Sequence, residues 1–374
     1  MTDLPKTYHA LVSTVSDDGQ LTVERVEREM KPLKDDHVLI RVEAAPINPS
    51  DHGVMFGYAS MDGARNEGDA LVAPVGELGM RMMRGRVGQA LPLGNEGAGT
   101  VVAAGKSPAA QALLGKTVAA MGGGMYAQYR AVPVMNVLPL KDGNTAREGA
   151  SSFVNPLTAL CFPETMRREG HTALVHTAAA SNLGQMLVKI CQADGVPLVN
   201  IVRRQEQVDT LEAIGAEHVV NSSDDDFMAK LTDAIHDTGA TLAFDATGGG
   251  TLASDILSAM EASAQRTPGQ YSVYGSTHLK QVYLYGFLNP APTTLTRGYG
   301  MAWGVGGWLL PNFLAKAGME TAVRLRTRVA DELTTTFASH YTDEISMADA
   351  LKADVVARYN AKRTGEKFLL NPQI

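Results

Sequence analysis

The stretch from His171 to about residue 287 alternates short apolar runs with helical patterns, and this alternation constrains the fold more than any other feature of the chain. The runs 173–177 (ALVHT) and 197–202 (PLVNIV) have the length of buried strands. Between them, apolar residues recur at helical spacing from Leu183 to Cys191. Strands that alternate with helices in this way are typical of βαβ units. The sequence therefore predicts an α/β fold with a doubly wound parallel sheet.

The same criteria divide the rest of the chain. Further strands are predicted at 218–221, 241–246, 271–275 and 282–287, and further helices at 205–216, 227–237 and 252–264. The first third is rich in strand-like segments, and the character changes near Glu148. Within that third, residues 59–92 show no clear period and are interpreted as a long insertion or lid. The C-terminal part is predicted to hold helices at 320–333 and 346–356.

Composition argues against several classes of protein. The 374 residues carry 33 Lys and Arg against 40 Asp and Glu, and the formal net charge of -7 disfavours binding to nucleic acid or an anionic membrane. Two cysteines cannot build a disulfide framework or a four-thiolate zinc site. The longest apolar tract, 301–311, is too short to span a membrane, and the N-terminus lacks the pattern of a signal peptide. A cytoplasmic protein is the expectation.

The turn after the first predicted strand of the α/β domain is the candidate cofactor site. Residues 176–184 (HTAAASNLG) have small side chains, and the following helix would direct its N–H groups at a pyrophosphate. A G-x-G-x-x-G fingerprint has three glycines, whereas only Gly184 is present here. An ordinary small-residue turn is therefore the alternative. The residues assigned to the cofactor are Ala179, Ser181, Asn182, Leu183 and Gly184.

Two arginines follow the second predicted strand. Arg203 lies 19 residues after Gly184, close to the position that reads the ribose in dinucleotide-binding folds. An NAD enzyme carries Asp or Glu there, whereas Arg203 and Arg204 would bind a 2′-phosphate through charged, forked hydrogen bonds. The sequence thus favours NADP(H) as cofactor, and a solvated basic turn is the alternative.

Seven short motifs occur in an order that is more specific than any one of them: APINPSD (45–51), GNEGAG (94–99), GGMYAQY (123–129), VNPLTA (154–159), SNLGQ (181–185), VNIVR (199–203) and GEK (365–367). In this order the chain resembles the medium-chain dehydrogenase/reductase superfamily, in its zinc-free branch of quinone oxidoreductases and enoyl-thioester reductases. The resemblance implies a GroES-like, partly open β-barrel catalytic domain at 1–150 and 334–374, with the insertion 59–92. A Rossmann domain that binds NADP is implied at 151–333.

The resemblance also implies a chemistry. Members of this branch transfer hydride from NADPH to a quinone or an electron-poor C=C bond. Asn95 stands where zinc-dependent members have a histidine, so no metal is expected. The leading function is NADPH-dependent reduction of a quinone or an α,β-unsaturated carbonyl compound, and the alternative is a trans-2-enoyl-thioester (acyl-CoA or acyl-carrier-protein) reductase. A third hypothesis is a non-catalytic NADPH-binding protein. A homodimer is expected.

Two residues of the first domain are the catalytic candidates. Tyr58 follows the PINPSD segment, near the place where relatives carry a tyrosine, and a phenol is a suitable proton donor. The alternative is a tyrosine that only lines the barrel rim. Asn48 would donate to the nicotinamide ribose or to the substrate carbonyl, and a turn former ahead of a proline is the alternative.

Further contacts are expected at the ends of the predicted Rossmann strands and near the nicotinamide. The predicted cofactor residues are Asn155, Thr158, Asp245, Thr247, Tyr274, Gly275, Ser276 and Lys367. The alternatives are a helix N-cap for Asn155 and a surface lysine for Lys367. The glycine-rich stretch with Trp303, Trp308 and Leu309 is expected to wall a substrate pocket, and a dimer-interface loop is the alternative.

Overall fold

The computed structural model describes residues 4–266 and 272–374, and the chain divides into two compact units. The first comprises Met1–Val154 and Arg326–Ile374, and the second comprises Asn155–Leu325. The first unit is therefore assembled from two separate parts of the chain, whereas the second is continuous. The boundaries predicted after residues 150 and 333 lie near these divisions.

Short strands dominate the first part of the chain. They are β1 (Thr7–Val15), β2 (Gln20–Glu29), β3 (His37–Pro46), β4 (Arg65–Glu67), β5 (Ala70–Pro74), β6 (Leu91–Pro92), β7 (Glu96–Ala104), β8 (Thr117–Met121), β9 (Tyr129–Pro133) and β10 (Val137–Pro139). The helices among them are α1 (His52–Met55), α2 (Glu77–Met82), α3 (Pro108–Gln111) and α4 (Ala146–Gly149). Single 3-10 turns lie at Met61–Gly63, Arg84–Arg86 and Val134–Asn136.

Longer helices alternate with strands in the remainder. In chain order these are α5 (Val154–Glu169), β11 (Leu174–Thr177), α6 (Asn182–Asp194), β12 (Leu198–Val202), α7 (Gln205–Glu212), β13 (His218–Asn221), α8 (Phe227–Thr238), β14 (Leu242–Asp245), β15 (Gly248–Gly250), α9 (Leu252–Gln265), β16 (Lys280–Leu284), β17 (Asn289–Thr293), β18 (Trp303–Gly307), α10 (Leu310–Ala317) and α11 (Met319–Asp331). The last part holds β19 (Asp343–Ile345), a 3-10 turn at Asp349–Leu351, α12 (Ala353–Asn360) and β20 (Phe368–Leu370).

Two sheets form the first unit. One has the order β4-β5-β2-β1-β6, and the other has the order β10-β8-β7-β3-β20-β19, with β9 also paired to β3. Alternate side chains of β1, β2 and β3 enter one apolar core, as the period of two in strands requires, and Val101 of β7 packs in the same core. The late strand β20 lies between β3 and β19, antiparallel to the former and parallel to the latter. Two distant parts of the chain thus share one sheet.

The segment 59–92 is an integral part of this unit, so its interpretation as an irregular excursion or lid is wrong. Its strand β5 pairs antiparallel with β2, and β4 pairs with β5. Leu71, Ala73, Val75 and Met83 belong to the apolar core. The Arg86 guanidinium donates to carbonyl oxygens on two other segments, at Val54 and Ser13. The missing helical or strand period reflects short elements that are stabilised by tertiary pairing rather than by local pattern.

A six-stranded sheet in the order β13-β12-β11-β14-β16-β18 forms the second unit, and every pair in it is parallel. The order reverses direction between β11 and β14, which is the topological switch point of a doubly wound sheet. The predicted α/β class is confirmed. No helix in the described ranges is both long and apolar enough to cross a membrane.

Two expectations for this sheet are wrong. The fifth strand is β16, whereas a strand was expected at 271–275; residues 272–275 form a turn, and Tyr271 lies outside the described residues. The glycine-rich stretch at 303–307 is the strand β18 and pairs with β16, although a loop was expected. Glycine has little intrinsic preference for strands, so this pairing is fixed by the neighbouring strand rather than by the local sequence.

Candidate functional site

The turn between β11 and α6 is shaped as the sequence predicts. The Ser181 hydroxyl caps α6 by accepting a hydrogen bond from the Gly184 N–H at 3.1 Å. A Cβ placed on Gly184 would lie 2.0 Å from the Ala179 carbonyl oxygen, so only glycine fits there. Ala178 holds a positive φ of 49°, which few residues other than glycine adopt. The turn therefore brings the backbone into close contact at the start of the helix, as phosphate-binding turns do.

The other predicted cofactor residues of this turn, Ala179, Asn182 and Leu183, differ in their exposure to solvent. Ala179 is fully buried, and its N–H donates to the Ile201 carbonyl oxygen of β12. Leu183 is 8% exposed and faces the interior. Asn182 is the first residue of α6 and is partly exposed. The turn thus offers backbone groups at its surface rather than a set of polar side chains.

Arg203 and Arg204 lie directly after β12, at the carboxyl end of the sheet. Both are exposed. The Arg203 backbone is fixed on both sides, because its N–H donates to Gln207 Oε1 and its carbonyl accepts from the Ser223 hydroxyl. β12 pairs in register with β11, whose end leads into the cofactor turn. Two exposed guanidinium groups therefore stand beside the strand that carries the turn.

Asp245 closes the loop after β14. Its side chain is buried and accepts from the Thr177 hydroxyl at 2.6 Å and from the backbone N–H groups of Thr247 and Gly248. These hydrogen bonds join the ends of β11 and β14 at the switch point. The hydrogen bonds of the Asp245 carboxylate are thus used within the protein. Of the two predicted cofactor residues in this loop, Asp245 and Thr247, only Thr247 is partly exposed.

Tyr274, Gly275 and Ser276 precede β16, so their expected position at the carboxyl edge is wrong. Ser276 instead belongs to a buried network at the amino end of that strand. Its hydroxyl donates to Glu261, and the Lys280 ammonium, 1% exposed, contacts both Ser276 Oγ and Glu261 Oε2 at 2.8 Å. The cause of the error is the misplaced fifth strand, which was expected to end where a turn is found.

The two tryptophans do not form one pocket wall. Trp303 begins the edge strand β18 and is 39% exposed. Trp308 packs edge-on against Phe162 and Phe244, and its Nε1 donates to the Thr165 hydroxyl at 3.2 Å. Leu309 precedes α10 and is 57% exposed. Of the three, Trp308 belongs to the aromatic core of the second unit.

Helix α5 carries the next two predicted cofactor residues. Asn155 is its second residue, so the alternative of an N-cap is wrong. Asn155 is partly exposed, and Thr158 is 7% exposed, one turn further along the helix.

A buried polar cluster lies in the first unit around Asn48. The Asn48 amide donates to Glu96 Oε1 at 2.8 Å, and Glu96 Oε2 accepts from the backbone N–H groups of Phe153 and Val154. Asn48 Oδ1 is buried and has no hydrogen-bond partner within the described residues. Because a carboxylate only accepts, it fixes which end of the amide faces it. The Asn48 amide N–H group is therefore used by Glu96, and the side-chain oxygen is left for a ligand. The expectation that Asn48 donates to the nicotinamide ribose or the substrate carbonyl does not fit this orientation.

Burial shifts the pKa values of the ionisable groups in this cluster. Desolvation raises the pKa of Asp51 to about 7, opposed by hydrogen bonds from the N–H groups of Asn48 and Asn95. Desolvation also raises the pKa of Glu96. Lys367, whose pKa burial lowers to about 8, donates to the Ser151 hydroxyl at 2.8 Å. A group of shifted ionisable side chains is typical of functional sites. Lys367 is partly buried in it.

Sequence reasoning missed several members of this cluster. Asp51 and Glu96 were part of the quoted motifs, but no role was assigned to them. Tyr341 was not singled out; its hydroxyl is 2.9 Å from Ser151 Oγ, and its ring lies 5.4 Å from Lys367 Nζ. The available signal was a single acidic residue in each of two loop-like motifs, Asp51 in APINPSD and Glu96 in GNEGAG. An acidic side chain that becomes buried in such a loop needs hydrogen-bond or charge partners.

Tyr58 lies at the surface of the first unit, with 56% of its area exposed. Its backbone N–H contacts Met83 Sδ at 3.4 Å. A Cβ on Gly79 would lie 3.0 Å from the Tyr58 carbonyl oxygen, so α2 packs directly on this residue. The segment 59–92 thus fixes the backbone of Tyr58 and leaves its ring accessible. Asn95 is partly buried, and its amide contacts Ser50 Oγ at 3.2 Å.

Comparisons with known proteins identify the family. Residues 34–142 match the alcohol dehydrogenase GroES-like domain, and residues 183–295 match the zinc-binding dehydrogenase family. The mitochondrial enoyl-[acyl-carrier-protein] reductase of Bos taurus is 26% identical over 232 residues, which are 59% of this chain and 54% of that protein. Prostaglandin reductase-3 of Mus musculus is 31% identical over 131 residues, 34% of each chain. The chain thus spans about half the length, or less, of these curated relatives.

Solved structures resemble the whole chain. An NADPH:quinone reductase from Mesorhizobium loti superposes with a TM-score of 0.74 at 25% identity, covering 99% of this chain and 100% of its own. The CurK enoyl reductase has the same fold, with a TM-score of 0.70 at 14% identity over 98% of this chain and 99% of its own. With its GroES-like unit and parallel sheet, the chain belongs to the medium-chain dehydrogenase/reductase superfamily, in the branch of quinone oxidoreductases and enoyl reductases.

Proposed function

We propose that this protein is an NADPH-dependent reductase that acts on a quinone or an α,β-unsaturated carbonyl compound. The observation that carries the proposal is the glycine-dependent turn before α6, with two exposed arginines after the adjacent strand. Both features suit NADP(H), because the turn offers N–H groups to a pyrophosphate and the guanidinium groups suit a 2′-phosphate. When bound, the cofactor supplies the hydride.

The chain's own residues are proposed to bind and to move protons. Arg203 and Arg204 bind the 2′-phosphate, the first turn of α6 at Asn182 and Leu183 binds the pyrophosphate, and Tyr58 donates a proton to the reduced acceptor. Asn48 accepts a hydrogen bond at its unpartnered Oδ1 from a hydroxyl of the cofactor ribose or the substrate. Asn155, Thr158, Thr247 and Lys367 remain proposed cofactor contacts.

The acceptor is tested by following NADPH oxidation with quinones, 2-enals and trans-2-enoyl-CoA thioesters. Turnover of quinones or enals is expected. The similarity to enoyl-[acyl-carrier-protein] reductases makes thioester reduction the second candidate, which turnover of enoyl-CoA substrates alone would establish. If NADPH binds and no acceptor in the panel is reduced, the protein is a non-catalytic NADPH-binding protein and the proposal fails.

The Tyr58→Phe variant tests the proton donor. We expect kcat to fall about 100-fold, since a positioned general acid contributes at least that much. Binding of NADPH, measured by fluorescence titration, should be unchanged. Tyr8→Phe is the matched control, because Tyr8 lies on β1 and packs on Tyr129. Full activity of the Tyr58→Phe variant would exclude the role of acid.

Replacing both Arg203 and Arg204 by alanine tests the choice of cofactor. We expect the Kd for NADPH to rise about 100-fold, because two charge-assisted hydrogen-bond donors to the phosphate are lost. The Kd for NADH should change less than threefold or so, since NADH lacks that phosphate. Arg266→Ala, which removes another exposed arginine of the second unit, is the control. An equal loss for both cofactors would refute the phosphate contact.

We also propose a homodimer that uses the edge of the six-stranded sheet. Within the described residues, β18 pairs on one side alone, with β16. Exposed edge strands readily pair with another chain, and Met301 and Trp303 next to this edge are 76% and 39% exposed. We expect sedimentation velocity to show a dimer that Val305→Pro converts to monomers, as proline blocks strand pairing. A monomeric wild-type protein would contradict the proposal.

A further inference from the structure

A polar residue occupies an apolar position in β12. All five residues of this strand are buried, and Asn200 at its centre is 1% exposed. The Asn200 amide donates to the His218 carbonyl oxygen at 3.3 Å, while Asn200 Oδ1 has no hydrogen-bond partner within the described residues. A buried acceptor without a donor costs stability, and such groups are rare in native proteins.

The adjacent strand does not supply the missing donor. His176 on β11 pairs in register with Asn200, so both side chains point to the same face of the sheet. His176 Nε2 lies 2.8 Å from the Tyr285 hydroxyl, but Nδ1 has no partner within the part of the chain that the structure describes. Two buried polar atoms on neighbouring strands are thus unsatisfied on one face. Since none of the described residues supplies a donor for Asn200 Oδ1, a bound molecule is the candidate donor.

A hollow opens beside Asn200 on that face. Its volume is about 260 Å³, and it lies between α6, the segment 195–198 and the segment 215–218. Val188, Cys191 and Leu198 give it apolar walls, each at most 8% exposed. The charged group among its lining residues, Glu217, is exposed and therefore at the mouth. The buried end combines apolar walls with one acceptor that needs a donor.

We propose that this hollow binds a small neutral aliphatic molecule with a hydroxyl group, which donates to Asn200 Oδ1 while its carbon atoms pack on Val188, Cys191 and Leu198. Its volume lies below the range typical of sites for drug-sized ligands, so an occupant has only a few heavy atoms. A neutral group suits the site because Glu217, the acidic residue among the described lining residues, is exposed at the mouth. This inference does not depend on the proposed reductase activity.

Propan-2-ol and acetone are the matched probes, since they have the same number of heavy atoms and differ in the hydroxyl donor. Amide chemical shifts of the isotope-labelled protein are followed by NMR during titration with each. We expect saturable shifts with propan-2-ol at 188–198 and 215–218, with a Kd at least about fivefold below that for acetone. Equal responses to the two probes, or no saturable response to propan-2-ol, would overturn the proposal.

The Asn200→Leu variant tests the residue itself, because leucine is close in size and removes the unpartnered acceptor. We expect the preference for propan-2-ol over acetone to disappear, whereas Asn144→Leu in the first unit should retain it. If Asn200→Leu does not fold, Ala216→Leu takes its place, since this partly exposed lining residue would fill the hollow. An alcohol preference that persists in whichever of these variants folds would refute the site.

Discussion

Replacing Gly184 by valine is expected to weaken NADPH binding at least about 100-fold, because an ångström-scale displacement of binding groups has effects of this size. A Cβ at this position would lie 2.0 Å from the Ala179 carbonyl oxygen and 2.8 Å from its Cα. These are backbone atoms, and they cannot rotate away as a flexible side chain would. The first turn of α6 would have to move away from the strand end, and its N–H groups would lose their alignment.

The design separates a local change from unfolding. The Kd for NADPH is measured by fluorescence titration, and the melting temperature is measured for the same samples. Gly184→Ala adds the Cβ alone and should give most of the effect. Gly85→Ala is the control, because a Cβ there meets nothing within 4 Å and its φ is not positive. Wild-type affinity in both Gly184 variants would show that the turn does not bind the cofactor.

Replacing Glu96 by alanine is expected to lower the free energy of unfolding by about 3 kcal/mol, because partners of a buried charge are left unpaired. Glu96 is fully buried and accepts hydrogen bonds from the Phe153 and Val154 N–H groups at 2.7 and 2.9 Å and from the Asn48 amide. Without it, these donors have no acceptor, and Lys367 loses a nearby negative charge.

The conservative variant separates hydrogen bonding from charge. In Glu96→Gln the side-chain carbonyl still accepts from both backbone N–H groups, and its amide faces Asn48. Asn48 then turns its own carbonyl toward the glutamine, so its other face presents N–H instead of Oδ1. We expect urea denaturation to show a loss of stability under about 1 kcal/mol, together with reduced activity. A Glu96→Ala variant as stable as the wild type would contradict this account of the cluster.

Those parts of the fold that repeat a local pattern were predictable. The helix α6 follows from the apolar spacing of Leu183 to Cys191, and the strands β11, β12 and β14 follow from short apolar runs. β18 was not predictable, since WGVGG has no strand pattern and pairs only because β16 lies beside it. The apolar residues at 271–275 predict a strand, but residues 272–275 form a turn. The local sequence does not show whether a neighbouring strand is available to pair with such a run.

The candidate site divides in the same way. Gly184, Arg203 and Arg204 follow a strand–turn–helix pattern, so spacing along the chain located them. Asp51, Glu96, Ser151 and Lys367 come from widely separated segments, and their hydrogen bonds arise only from folding. The shifted pKa values of Asp51 and Lys367 result from burial, which a sequence does not display.

The place of β20 within the sheet has a consequence for biosynthesis. Leu370 pairs with Ala45, so the C-terminal end of β3 pairs with a strand that is synthesised 325 positions later. The second unit, Asn155–Leu325, is complete well before the ribosome reaches that strand. At about 5–20 residues per second, residues 45–46 of β3 wait many seconds for β20, although β9 pairs with residues 37–41 much earlier and the parallel sheet is already able to form. The sheet of the first unit is therefore completed only after the whole second unit has been made.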